Sequence, residues 1–431
     1  MRYQVHQLKL DNGAEGLVVD IPNAVSVYSM LNFAGGRAAL ADLKHKDQVP
    51  QLLTRLATEV VGYKDNEFYN ALMRNGASFN TYDGNTSVEY YVKCPRFDAE
   101  RTLDLIAKSL EQPDINASNL AREKKSLRGK LKSLTTNGDE LIIRHTLAHF
   151  GYPQLSPRES LATLDDITPE DIQEYRAQSF TTDNLHFIIA GDFNGDLTVV
   201  DRLRQLDLPR GKRFQCSLPT AKSDTQYYFK PYSGAKIILT KVAFALPRPL
   251  TLRDELIARL INSLLCSGFD SLVFGEARRN GWAYFVDAEP IISHLNVNLP
   301  VITVFRASEE NVPHMIQLLA DTLVKLSQGA LTTKRLEIVK QVSIGRESMR
   351  YSTASRIANN LSDRYFNTGE VIDLTTIPEL INSITVSDIQ QLTDEILASH
   401  LHMMGMFGDT TKSVATAAAA KLDAILNGED K

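Results

Sequence analysis

Short motifs recur in this chain at a spacing of about 210 residues, half its length. Ile167-Thr168-Pro169-Glu170-Asp171-Ile172-Gln173 returns as Ile384-Thr385-Val386-Ser387-Asp388-Ile389-Gln390. The apolar run Phe187–Ala190 closes on Gly191-Asp192, and Met403–Phe407 closes on Gly408-Asp409. Arg74-Asn75-Gly76-Ala77-Ser78-Phe79 is answered by Arg279-Asn280-Gly281-Trp282-Ala283-Tyr284. A period of roughly 20–50 residues would indicate a solenoid, whereas a period of half the chain indicates two domains of one fold. The expected boundaries are 1–210 and 223–431, with residues 209–224, rich in Pro, Gly, Lys and Ser, as the linker.

Each half reads as strands, then helices, then a closing strand. Alternating apolar residues mark strands near 25–33, 88–94, 185–190 and 236–246. Val49, Leu52, Leu53, Leu56 and Val60 recur at helical spacing, as do Leu256, Ile257, Leu260, Ile261, Leu264 and Leu265. Further helices are expected near 101–110, 120–134, 169–178, 312–326, 332–351 and 387–396, with Thr168-Pro169 as a helix start. The fold class expected is α+β: two tandem homologous domains, each a mostly antiparallel sheet packed with helices.

A hydrophobic content of 43% and a charged content of 23% are those of a soluble globular protein. The net charge of -5 and the lack of an evident basic stripe give nucleic-acid binding no support. No run of 18 apolar residues and no N-terminal apolar core occurs, so no membrane span is expected and the cytosol is the expected compartment. Cys94, Cys216 and Cys266 lack metal spacing; Cys94 and Cys266, in apolar runs, read as reduced core residues. Among the histidines, which include His45 and His186, only His145 and His149 share a helix face, without an acidic third ligand, and a packing role is expected of them. Asn85-Thr86-Ser87 and Asn116-Ala117-Ser118 fit a glycosylation pattern that matters only on secretion.

Three further stretches, Phe33-Ala34-Gly35-Gly36-Arg37, Gln51-Leu52-Leu53-Thr54-Arg55 and Asn75-Gly76-Ala77-Ser78-Phe79-Asn80-Thr81-Tyr82, complete the picture. With the tandem layout, they make the whole chain resemble the pitrilysin/insulinase-type zinc peptidases (inverzincins). The likeness is to their short branch of processing-type proteases, mitochondrial processing peptidase subunits and respiratory core proteins. Such proteins carry Gly-x-Arg, a helix with His-x-x-Glu-His, and a Gly-x-x-Phe-Asn turn and strand. Gln51, Thr54 and Arg55 stand where that resemblance implies His, Glu and His. Its third ligand, a Glu about 75 residues further on, falls on Lys130 when Arg122-Glu123-Lys124 is matched.

The chemistry of those four residues is wrong for zinc. Positions 51, 54 and 55 share a helix face, expected to lie opposite the apolar stripe. Gln is a poor zinc ligand, Thr offers no general base, and Arg and Lys bring fixed positive charge. At an effective dielectric of about 20, two such charges repel a dication by several kcal/mol. No cofactor is therefore expected in this chain, and zinc only in a partner subunit.

A second element looks retained. The resemblance implies an Arg after Leu-Phe and a Tyr after Gly-x-Ala that bind the substrate backbone and its oxyanion. Leu272-Val273-Phe274-Gly275-Glu276-Ala277-Arg278 and Gly281-Trp282-Ala283-Tyr284 match with one residue fewer between them, so either Arg278 or Arg279 fits the arginine position. A guanidinium and a phenol both donate to a tetrahedral oxyanion. Ser78, Phe79, Asn80 and Thr81 are the expected edge strand to which an extended peptide adds. The resulting expectation is a pseudopeptidase: a non-catalytic subunit that pairs with a zinc-bearing homologous subunit and binds peptide or unfolded polypeptide. A core-protein-like scaffold, or a homodimeric peptide-binding pseudopeptidase, is the alternative.

Overall fold

The computed structural model describes residues 3–40, 46–64, 66–152, 154–215, 226–294 and 297–429. His45, Cys216 and most of the expected linker lie outside them. The first sheet holds β1 (Gln4–Lys9), β2 (Glu15–Asp20), β3 (Ser26–Ala34), β4 (Ser78–Asp83), β5 (Ser87–Pro95) and β6 (Leu185–Gly191). Their order is β1-β2-β6-β3-β5-β4, and only β2 and β6 run parallel. The second sheet holds β7 (Gln226–Pro231), β8 (Ile237–Leu246), β9 (Ala283–Ala288), β10 (Ile292–His294), β11 (Val297–Ser308) and β12 (His402–Gly408). Its order is β10-β11-β8-β12-β7, with β9 also on β11, and only β7 and β12 run parallel.

The path β2-β6-β3-β5-β4 is therefore repeated as β7-β12-β8-β11-β9, with the parallel pair in the same place. This is the α+β architecture expected, duplicated in topology as well as in motif. The repeated heptapeptides are helix starts. Thr168 and Thr385 each accept from the backbone of an Asp three residues on, Asp171 and Asp388, whose carboxylates bond back to the threonine N–H. The repeated Gly-Asp motifs end fully buried strands. Asp192 accepts from the Asn23 N–H, and Asp409 from the Gly234 N–H, closing equivalent turns.

The compact units are not the contiguous halves expected from the repeat. One comprises Met1–Ser133, Pro153–Cys216 and Ser348–Leu374; the other comprises Leu134–Tyr152, Ser217–Glu347 and Thr375–Lys431. The helix Ala354–Thr368 belongs with the first sheet, and the helix Gly138–His149 with the second. Burial explains the exchange. Ile357, Ala358, Leu361 and Tyr365 close over Leu17, Val19, Met30 and Ile188 of the first sheet. Leu141 and Ile142 do the same over Leu239, Val304 and Phe407 of the second. At Gly405 any side chain would run into Ile142, so glycine is what lets that helix approach its strand.

The expected helix at 49–60 is shorter, Val49–Arg55 followed by a tight turn at Leu56–Thr58, with Val60 bridging Pro113 instead. Cys94 and Cys266 are buried and unbridged. His145 stacks on Tyr228 with centroids 3.8 Å apart, and His149 lies edge-on to Phe150. Among the described residues no helix is long and apolar enough to cross a membrane.

Candidate functional site

In the first unit the helix Val49–Arg55 carries the positions of the ligand triplet. The face holding Gln51 and Thr54 is not open, as its polarity had implied: both are buried like Leu52 and Leu53. Buried polar groups must find partners within the protein, and these do. The Gln51 amide donates to Asp83 Oδ1 at 3.1 Å. The Thr54 hydroxyl donates to the Gln51 carbonyl at 2.8 Å, the local back-bond typical of helical threonine. Asp83 also holds the buried Arg37, whose guanidinium donates to Asp83 Oδ2 at 2.6 Å and to its carbonyl at 3.0 Å. The Gly-x-Arg motif and the end of β4 are thus tied to the ligand helix through one carboxylate.

Arg55 turns toward the helix Ala117–Leu134. Its guanidinium donates to Ser126 Oγ at 3.0 Å and pairs with Glu123 at 3.6 Å, while Arg122 bridges Glu59 (2.6 Å) and Glu123 (3.7 Å). Lys130 stands one turn beyond Ser126 and is exposed. A fixed cation, Arg55, thus faces the Glu123 carboxylate. Among the described residues no group of three or more His, Cys, Asp or Glu is placed to hold a metal ion. A primary amide, a hydroxyl and two fixed cations at residues 51, 54, 55 and 130 do not fit zinc.

Sequence reasoning passed over Asp83, Glu123 and Ser126, because their role depends on which helix and strand ends meet. It also passed over the basic run on Ala117–Leu134, where Arg122, Lys124, Lys125, Arg128, Lys130 and Lys132 stand against Glu123 alone. Part of that charge is answered by acidic side chains, Arg122 by Glu59 and Arg128 by Asp165, while Lys124 donates to the Asp165 carbonyl.

Ser78, Phe79, Asn80 and Thr81 lie on β4, the last strand of the first sheet, paired to β5 only among the described strands. Its exposure alternates, with Ser78, Asn80 and Tyr82 open and Phe79, Thr81 and Asp83 turned inward. In the second unit the repeated Arg-Asn-Gly turn leads into β9, and Tyr284 is 86% exposed. The two candidate arginines are placed differently. Arg279 pairs with Glu276 at 2.7 Å and points back to the Phe269 carbonyl. Arg278 lies between two rings, 4.8 Å from the Phe269 centroid and 5.9 Å from that of Tyr284. Cation–π contact at these distances holds a guanidinium without neutralising it. Arg278 and Tyr284 form one exposed donor pair; Arg279 does not join it. Phe269, in the turn after the helix Leu252–Cys266, is a partner that spacing along the chain could not reveal.

Comparison with known proteins identifies the family and the fold. Residues 49–156 match the family model described as insulinase (peptidase family M16), and residues 166–343 match that described as the peptidase M16 inactive domain. The chain belongs to the M16 peptidase family. Among solved M16-like structures, a protease from Helicobacter pylori superposes with a TM-score of 0.81 at 16% identity, over 94% of this chain and 99% of that one. A peptidase M16 inactive domain from Pseudomonas fluorescens gives 0.81 at 17% identity, over 95% and 99%. A chain of Complex III2 from Candida albicans gives 0.79 at 11% identity, over 97% and 100%. Such identities establish the M16 fold alone. No curated protein matches the sequence.

Proposed function

We propose that this M16 chain is the non-catalytic subunit of a two-subunit zinc processing peptidase. It lends Arg278 and Tyr284 to a zinc-bearing homologous partner and binds extended polypeptide along β4. The observation that carries the reading is the contrast between the two elements. The triplet positions Gln51, Thr54 and Arg55 are spent on internal bonds, whereas Arg278 and Tyr284 stand together and exposed, with no acidic partner among the described residues. A guanidinium and phenol so placed donate to a carbonyl oxygen as negative charge develops on it. The chain takes no zinc itself, and the cytosol is its compartment.

The test is reconstitution with a zinc-bearing homologue from the same source. Arg278→Ala and Tyr284→Phe are each expected to lower kcat/KM for a peptide by about tenfold or more, and Arg279→Ala to change it little. Activity that is indifferent to the presence of this chain refutes the proposal. A scaffold role without proteolysis is the second reading, supported by the likeness to a chain of Complex III2. It predicts stable association with partners and no effect of Arg278→Ala or Tyr284→Phe.

A further inference from the structure

Phe269 is a phenylalanine that the fold keeps on the surface, 66% exposed, in the turn at 267–271 that leads to the helix Phe274–Arg279. So placed, its ring contributes little through burial. A scattered surface ring on a loose turn would need no explanation, but this turn is clasped from several sides. The Ser271 hydroxyl donates to the Gly268 carbonyl at 2.7 Å and accepts from the Gly275 N–H at 3.2 Å, tying the turn to the helix that follows. Gly268, at φ +86°, supplies the left-handed backbone there without strain. From the helix Thr333–Arg350, Arg335 donates to the Asp270 carbonyl at 3.0 Å and Arg346 to Ser267 Oγ at 3.2 Å. Any side chain at Gly275 would run into the Phe269 carbonyl, so glycine is what lets the helix close on the turn. The Phe269 ring then lies 6.1 Å from that of Phe274, at 29°.

What these ties place is one guanidinium. An exposed arginine carries a large rotamer entropy, so without a partner its charge is spread over many positions. A carboxylate would fix it, as Glu276 fixes Arg279, but would also take up the charge and the N–H groups. The face of Phe269 attracts the Arg278 cation through the ring quadrupole and leaves the N–H groups at its rim open. Tyr284 is set by a different device. The register of β9 on β11 shifts beside it: Phe285 lies opposite Arg306 and Ala283 opposite Ala307, so Tyr284 has no cross-strand residue. Such a bulge re-aims a side chain out of the regular pleat.

We propose that Phe269 is a positioning residue: its ring, held by the clasped turn, keeps the Arg278 guanidinium beside Tyr284 with its charge and donors available. The inference rests on reading Arg278 and Tyr284 as donors to a carbonyl in a partner's site, and it adds the group that prepares one of them. Exposed cation–π contact shifts the balance between stacked and unstacked guanidinium by about twofold to fivefold. That is the factor by which Phe269 raises the share of molecules with Arg278 in place. Its effect belongs to the transition state, where charge develops on the carbonyl oxygen, and not to substrate binding.

Two measurements test the proposal, on variants at an exposed position where folding is not at stake. In the full chain by itself, the rate at which phenylglyoxal modifies Arg278, followed by peptide mass spectrometry, reads how often the guanidinium leaves the ring. Phe269→Leu keeps an apolar side chain without the quadrupole and should raise that rate about twofold to fivefold, and Phe269→Tyr should restore the wild-type rate. In the chain reconstituted with a zinc-bearing homologue from the same source, Phe269→Leu should lower kcat by the same factor with KM unchanged, and Phe269→Tyr should rescue it. In an Arg278→Ala background Phe269→Leu should add nothing, since the two residues act as one unit. A modification rate unchanged by Phe269→Leu, or a loss of kcat that persists in full when residue 278 is already alanine, overturns the positioning role and leaves the donor pair standing. Activity indifferent to Arg278→Ala overturns the donor pair and the positioning role together.

Discussion

Replacing Arg37 with Met is expected to loosen the outer edge of the first sheet by about 3 kcal/mol. The Arg37 and Asp83 side chains are only 6% and 17% exposed, so the pair sits in a medium that screens little. Breaking a buried pair from one side costs roughly 3–5 kcal/mol, because the remaining charge is left without its partner. Two features place this case at the lower end: Asp83 keeps the Gln51 amide, and it retains some contact with water. The assay is hydrogen exchange of the amides in β4 and β5, which reports opening of this edge directly. It is preferable to fluorescence because the single tryptophan, Trp282, lies in the other unit. Arg37→Met combined with Asp83→Leu should restore much of the loss, since neither charge is then left alone. A loss under about 1 kcal/mol, or a double variant whose effects simply add, refutes the assignment of Asp83 as the tie between β4 and the ligand helix.

Acid should destabilise the first unit through His186. Burial, and next the adjacent Arg213, press its pKa down to about 4, so the fold holds it neutral while the unfolded chain titrates near its ordinary value. The associated stability is present in full above about pH 6.5 and is lost as pH falls through about 4, a change of about 3 kcal/mol at most. Urea midpoints at pH 7.5 and 4.5 should therefore converge partly in His186→Phe, and an unchanged pH dependence in that variant contradicts the account. Gly405→Val should displace the helix Gly138–His149 and lower stability by about 2 kcal/mol or more, with lost exchange protection in residues 138–149; protection equal to wild type refutes it. Residues 1–210 and 223–431 produced separately should each fail to fold and should recover cooperative unfolding on mixing, because each lacks the helix that covers its own sheet. Two independently stable halves would show that the exchanged helices are not needed.

The sequence by itself determined the duplication, the α+β class and a set of side chains at residues 51, 54, 55 and 130 whose chemistry does not suit zinc. All three are local: a capping box, a buried strand ending in Gly-Asp, and the identities of residues 51, 54, 55 and 130 can be read from neighbours in the chain. The tertiary structure decided what depends on distant segments meeting. It exchanged the helices Gly138–His149 and Ala354–Thr368 between the units, because a sheet face is covered by whichever apolar helix reaches it. It buried Gln51 and Thr54, which polarity had placed on an open face, by giving Gln51 a partner in Asp83 and Thr54 one in the backbone. It separated Arg278 from Arg279 through the rings of Phe269 and Tyr284 on one side and the carboxylate of Glu276 on the other. Sequence spacing fixes which residues stand on one face, but the compensation of a charge is set by groups brought together from anywhere in the chain.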